Sequence, residues 1–233
     1  MRVARALVIA GLVLGGLFVA ADRLAVGYAE DRIAEKIRSS GHGGADGTEV
    51  EIDGFPFLTQ AMSHRLDRVE VRLKGVQTTT SDGHRMRISQ LDTRFHDVKL
   101  SGDYSGGTAN RADGTARVTY EDLTKASKSG ATVAYGGSPG KVKVTAGVSL
   151  LGRTITRSVI STITLVDGDT VRVRADEVPG EGIPGIEEMI REKTDFDREL
   201  EGLPAGLTLS SLTSDKDGLA LTLTGSRVSL TSS

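Results

Sequence analysis

The side chains equipped to do chemistry are few and scattered. Histidines stand at positions 42, 64, 84 and 96, in four separate segments. None has the i, i+4 spacing that sets two imidazoles on one helix face for zinc. There is no cysteine, which removes disulfides, thiolate metal sites and a cysteine nucleophile. No G-x-S-x-G elbow lifts a serine onto a strand-to-helix turn, so a serine and a distant histidine would have to meet through the fold. Asp215 and Asp217 before Gly218 begin like a calcium loop, but the Glu due at the end of such a loop is missing and Leu219 opens a strand. A turn is the preferred reading there. Gly136-Gly137 has no following helix to hold a phosphate and also reads as a turn. No catalytic residue, metal site or cofactor is expected.

Two apolar clusters stand out instead. Gly54-Phe55-Pro56-Phe57-Leu58, followed by Ala61 and Met62, packs two of the chain's five Phe into three residues. Either the rings plug the end of a core, or they form a lip or membrane-touching tip at the mouth of an apolar groove. Ile186, Met189 and Ile190, behind Pro184 at a helix start, form a stripe open to the same two readings. A basic stretch carries Arg68, Arg72, Lys74, Arg85 and Arg87, with Arg65 and Arg94 beside them. Paired strands would set several of these on one wet face, for solubility and edge protection. The sharper alternative is attraction to anionic phospholipid headgroups. Asp67, Glu70, Asp82, Asp92 and Asp97 dilute the charge.

The elements that position these groups follow from hydropathy patterning. Arg2 and Arg5 precede an unbroken apolar run over residues 6–21, and Asp22 ends it. This is a signal peptide cleaved after Ala21 or an N-terminal membrane anchor, and both put the body outside the cytoplasm. Residues 22–233 are expected to form one domain, a length all-β folds routinely reach. With 29 basic against 31 acidic residues, no overall field favours nucleic acid. Residues 22–38 read as an amphipathic helix with Val26, Ala29, Ile33 and Ile37 on one stripe, and the Gly-rich residues 41–47 as a flexible connection.

Beyond that, alternation of period two dominates, as in Val69, Val71 and Leu73 against Glu70, Arg72 and Lys74, or Leu219, Leu221 and Leu223 against Thr222 and Thr224. Asp82-Gly83, Asp113-Gly114, Asp167-Gly168-Asp169 and Asp217-Gly218 read as hairpin turns of an antiparallel meander. The apolar phase changes between Met86, Ile88 and Leu91, Phe95, then again at Val98 and Leu100, which predicts β-bulges and a strongly bent sheet. Short helical or irregular stretches are expected at residues 57–64, 120–127 and 184–193. With 4% aromatic residues and no Trp, the interior is aliphatic and closer to hydrocarbon than to a site for planar cofactors or sugars.

The order of these features resembles a known family. The export signal leads into Asp22-Arg-Leu-Ala and Ala-Glu-Lys-Ile, then a strand over residues 49–53, GFPFLTQ, RLDRVEVRLKGV and, late in the chain, FDRELEGLPAGLTLSSLTSDKDGLALTLTG. Over nearly all of residues 22–230 the chain is similar to the LmeA-like family of actinobacterial cell-envelope proteins, described as phospholipid-binding. The resemblance implies an α+β, mostly β fold of tubular-lipid-binding type, with a long curved antiparallel sheet wrapped around the N-terminal helix. It also implies an apolar groove for acyl chains, with residues 54–58 near its entrance.

The expected function is binding of phospholipid or another acylated lipid at the outer surface of the cytoplasmic membrane, with transfer or envelope maintenance as its purpose. A phospholipase or acyl hydrolase using the same groove is the runner-up, and a non-catalytic envelope scaffold with a closed core is the third reading.

Overall fold

One helix, α1 (Arg2–Ser39), runs unbroken from the apolar segment into the amphipathic one. Nothing in the backbone separates the two at Asp22. The computed structural model describes residues 2–39, 44–79, 85–127, 130–150, 153–178, 186–199 and 205–230. After α1, β1 (Gly44–Asp53) leads through the short α2 (Phe57–Met62) into β2 (Arg65–Thr79), β3 (Arg85–Leu100) and β4 (Gly107–Val118). The chain then crosses by α3 (Tyr120–Lys125) to a second sheet built from β5 (Thr132–Tyr135), β6 (Lys141–Leu150), β7 (Arg153–Val166) and β8 (Thr170–Ala175). After α4 (Ile186–Thr194) comes its last strand, β9 (Phe196–Glu199). It returns with β10 (Leu207–Asp215) and β11 (Gly218–Ser229).

All pairings are antiparallel, in a six-stranded sheet ordered β1-β2-β3-β4-β11-β10 and a five-stranded one ordered β5-β6-β7-β8-β9. The fold is α+β and mostly β, with an N-terminal helix on an open sheet, as the patterning predicts. The meander is divided, because the far neighbour of β4 is the returning β11 and not β5. The helical stretches near 57, 120 and 186 occur where expected. Pro184 and Asp82-Gly83 lie outside the described residues, as do residues 40–43, while the rest of the Gly-rich segment forms the start of β1.

Two local expectations are corrected. Asp113-Gly114 is not a turn but the middle of β4, where Gly114 pairs with Thr93 on one side and Leu223 on the other. A Cβ on Gly114 would meet the Asp92 carbonyl oxygen at 2.6 Å, so the glycine permits a close strand approach. The phase changes in β2 and β3 also arise without an inserted residue. The ladder steps over Asp67, Asp97, Asn110 and Arg227 and resumes in the same register on four adjacent strands. Asp97 and Arg227 adopt φ of 51° and 50°, in the left-handed region. One transverse kink therefore turns the whole sheet and re-aims every following side chain. A second kink uses Gly75 at φ 70° opposite Ser89. A true bulge occurs in β10, between Leu209 and Ser211.

The inner face of the large sheet is a stack of apolar rows, each crossing several strands in register. Leu66, Val98, Ala109 and Val228 make one row. Leu73, Leu91, Ala116, Leu221 and Leu212 make another. Val142, Val144, Val159, Ile163, Val173 and Ala175 of the second sheet belong to the same continuous core. The sheets meet where the Leu209 amide donates to the Gly168 carbonyl at 2.9 Å and Ser214 Oγ to the Lys141 carbonyl at 2.8 Å. At the far end, Arg117 Nη1 spans both Asp215 oxygens at 2.9 and 3.0 Å, and Tyr120 donates its hydroxyl to the Asp215 carbonyl at 2.6 Å.

The Arg117 guanidinium first, and then the Asp217 amide, hold the Asp215 carboxyl below the ordinary carboxylate range. A depressed native pKa adds stability above the unfolded value of about 3.9, and this is lost as the pH falls through the lower native value. Arg117→Leu should therefore lower the Tm by a few degrees at neutral pH, and the gap to the parent chain should close as the pH drops below about 4. Thermal melts across that range would contradict the assignment if the gap stayed constant.

Candidate functional site

Three side chains of α1 tie it to α2, to β1 and to the connection between β3 and β4. The fully buried Asp22 accepts from the Leu58 amide at 2.8 Å through Oδ1, Glu30 Oε1 accepts from the Ile52 amide at 2.8 Å, and Lys36 Nζ donates to the Ser105 carbonyl at 3.0 Å. Asp22 Oδ2 is buried with no hydrogen-bond partner, and the Arg23 guanidinium is 3.8 Å away. Asp22 thus fastens the first turn of α2 to the helix just where the apolar run ends. The stripe beneath is Val26 and Ala34, both buried, with Ala29 and Ile33 partly so. Asp22 was missed as a structural residue; its one signal is an acid directly abutting sixteen apolar positions, residues 6–21.

The GFPFL segment divides between its two readings. Phe57 is buried in the core with Leu58 packed partly against it, whereas Phe55 is 56% exposed and Met62 80%. The Phe55–Pro56 peptide is cis and Pro56 is half-buried. The Arg23 guanidinium lies 5.2 Å from the Phe55 ring centroid. In α4, Ile190 is buried in the shared core, while the side chains of Ile186 and Met189 lie outside the described set.

The basic face is matched by acids on the neighbouring edge strand. Arg68 pairs with Asp53 at 3.5 Å, Arg72 with Glu51 at 3.3 Å and Glu70 at 2.8 Å, Lys74 with Glu49 at 3.8 Å, and Arg87 closely with Asp46. The Arg85 side chain lies outside the described residues. The i, i+2, i+4 acids Glu49, Glu51 and Asp53 stand opposite Arg72, Glu70 and Arg68 in the ladder and pair with Lys74, Arg72 and Arg68, a signal present in the sequence but readable only once β1 and β2 are aligned.

Two open clefts occur among the described residues. One of about 470 Å³ between α1 and β1 is lined by charged groups including Arg23, Glu30, Glu49, Glu51 and Arg72. The other, about 310 Å³, lies over Glu70, Arg72, Arg94 and Asp113. Neither is hydrocarbon-like. On the inner face of the sheet, Val71, Ile88, Leu91 and Ala116 pack against the core yet are only half-buried. Leu91 and Ala116 share a row with the buried Leu73 and Leu221. This strip of aliphatic groups offers contact area and no polar selectivity, which suits fatty chains.

The two described histidines have simple neighbours. His96 Nε2 is 2.7 Å from Asp113 Oδ1, and His64 stacks on Tyr104 with ring centroids 4.6 Å apart; neither ring touches a serine hydroxyl. His42 and His84 lie outside the described residues. Among the described residues no group of three or more His, Asp or Glu is placed to hold a metal ion. Asp215 accepts from the Asp217 and Gly218 amides at 2.8 and 3.2 Å, the geometry of a turn closed by its own carboxylate. Ser161 Oγ is buried on the inner face of β7 with no hydrogen-bond partner, beside Val142 and Ala175.

The Asp22 contact makes a direct prediction. Asp22→Ala leaves the Leu58 amide without its acceptor and should cost about 1–3 kcal/mol of unfolding free energy, whereas Asp22→Asn keeps an acceptor oxygen and should cost well under that. Equal urea midpoints for the two variants would show that the hydrogen bond does not hold α2.

No curated protein and no solved structure matches the chain. The model of the family described as LmeA-like phospholipid-binding matches residues 20–224, from the docked end of α1 to the middle of β11. The chain belongs to the LmeA-like phospholipid-binding family.

Proposed function

We propose that this protein takes the acyl chains of phospholipid onto the half-buried aliphatic strip of its large sheet, at the outer side of the cytoplasmic membrane. There it presents or transfers them in maintenance of the cell envelope. The observation that carries the reading is the set of inward-facing yet solvent-reached side chains Val71, Ile88, Leu91 and Ala116, in a chain of a phospholipid-binding family. Burial of a fatty chain releases about 0.8 kcal/mol per methylene, so affinity needs no polar pocket. The membrane side is supported by α1, whose described part is long and apolar enough to cross a bilayer. Arg2 and Arg5 at its start favour a cytoplasmic N-terminus with the body on the far side. We read the role as carriage in preference to hydrolysis, because among the described residues neither His64 nor His96 has a serine hydroxyl as a hydrogen-bond partner.

Native mass spectrometry of the full chain, followed by extraction of what it carries, tests this. Stoichiometric diacyl lipid is expected. Lysolipid and fatty acid accumulating from added phospholipid would replace carriage by hydrolysis, and an empty protein that takes up no lipid would leave a scaffold. Ala116→Phe, which fills the strip, should reduce bound lipid severalfold while leaving the circular dichroism spectrum unchanged. Full occupancy in that variant would move the acyl site elsewhere.

A further inference from the structure

The end of the molecule around α2 is greasy beyond anything the core requires. Besides Phe55 and Met62, Leu24 on α1 is 76% exposed, and exposed Tyr104 donates its hydroxyl to the Ala61 carbonyl at 3.2 Å. Phe55 lies just before α2 and Met62 ends it, Tyr104 is tied to it through Ala61, and Leu24 stands on the helix that the Asp22–Leu58 hydrogen bond and the Arg23–Phe55 stack fasten to α2. The face begins where the apolar run of α1 stops. Side chains 11–21 are all exposed, with Leu12 at 72%, and α1 passes from them into the docked stretch without a break. A helix rises about 1.5 Å per residue, so Arg23 and Leu24 stand within one turn of the last apolar position. A bilayer that takes up residues 11–21 must lie against this face. Its composition is that of an interface: apolar Phe, Met and Leu, an amphipathic Tyr, and cations at the rim. Arg65 and Lys99, cross-strand neighbours immediately after α2 and at the end of β3, have no acidic partner within 4 Å among the described residues.

We infer that α1 is kept and that the face formed by Leu24, Phe55, Met62 and Tyr104 seats in the headgroup layer of the same membrane, with the phospholipid bilayer as its occupant. The argument for that occupant is continuity with the exposed apolar run. The inference rests on the membrane-side placement proposed above, and not on acyl chains entering the aliphatic strip.

The chain contains no Trp, so single Phe55→Trp and Met62→Trp substitutions report against a dark background. The full chain is reconstituted into vesicles of phosphatidylcholine and phosphatidylglycerol carrying a headgroup-labelled quencher. Both positions are expected to emit at shorter wavelength and to be quenched severalfold more than Lys216→Trp, an exposed turn position at the opposite end of the sheet. Solvent-like emission and no extra quenching at both positions, in vesicles with which the chain co-floats, would overturn the inference. So would a blue shift in detergent that grows with protein concentration, which would assign the face to a second copy. An intact mass beginning at Asp22 in the membrane fraction would overturn retention of α1. Lipid occupancy of the same preparations, read by native mass spectrometry, is independent: empty protein with quenching intact removes the carrier reading alone.

Discussion

A six-stranded antiparallel sheet has an inner face wider than one helix can cover. At about 4.8 Å between strands the face spans about 24 Å, against the 10–12 Å diameter of a helix with its side chains. α1 packs against the edge strand β1, with Val26, Ala29 and Ile33 in the shared core, and the second sheet meets the β10 side at Leu209 and Ser214. The middle of the face, around Leu91 and Ala116, is left half-buried. Leaving aliphatic area open costs about 25 cal/mol for each Å², which a folded body retains only where something else covers the surface. The chain belongs to a family described as phospholipid-binding, and under the proposed function acyl chains take that place.

The outer face obeys a different constraint. β1 is an edge strand, and its charged side chains Asp46, Glu49, Glu51 and Asp53 discourage pairing with other chains while they balance the cations of β2 and β3. Such exposed pairs contribute little to stability, about 0–1 kcal/mol each. Their effect is on the field: Arg68, Arg72, Lys74 and Arg87, which look like a headgroup magnet in the linear sequence, are locally compensated, while Arg65 and Lys99 near α2 have no acidic partner within 4 Å among the described residues.

Most of the strands were legible because alternation needs only local information, and the apolar run and amphipathic stripe of α1 were legible for the same reason. What escaped depends on partners distant in sequence. Asp113-Gly114 has turn chemistry, but β3 and β11 approach it from both sides and hold it extended. The phase changes in β3 were visible, while their cause was not, since a kink shared by Asp97 and Arg227 leaves no insertion for the sequence to display. The Phe55/Phe57 pair looked uniform, yet Phe57 opens α2 and is buried in the core, while Phe55 lies in the connection before it and is exposed. Asp22 reads as the polar end of a signal until Leu58, thirty-six positions later, is brought against it.

The continuity of α1 also limits how far the body can travel. With no linker between the apolar run and the docked stretch, a chain that keeps its first residues stands on a stiff post: it can spin about the bilayer normal, but it cannot swing away or diffuse free. Cargo bound for a more distant layer would then change hands at this spot, and the acceptor would have to come to the protein.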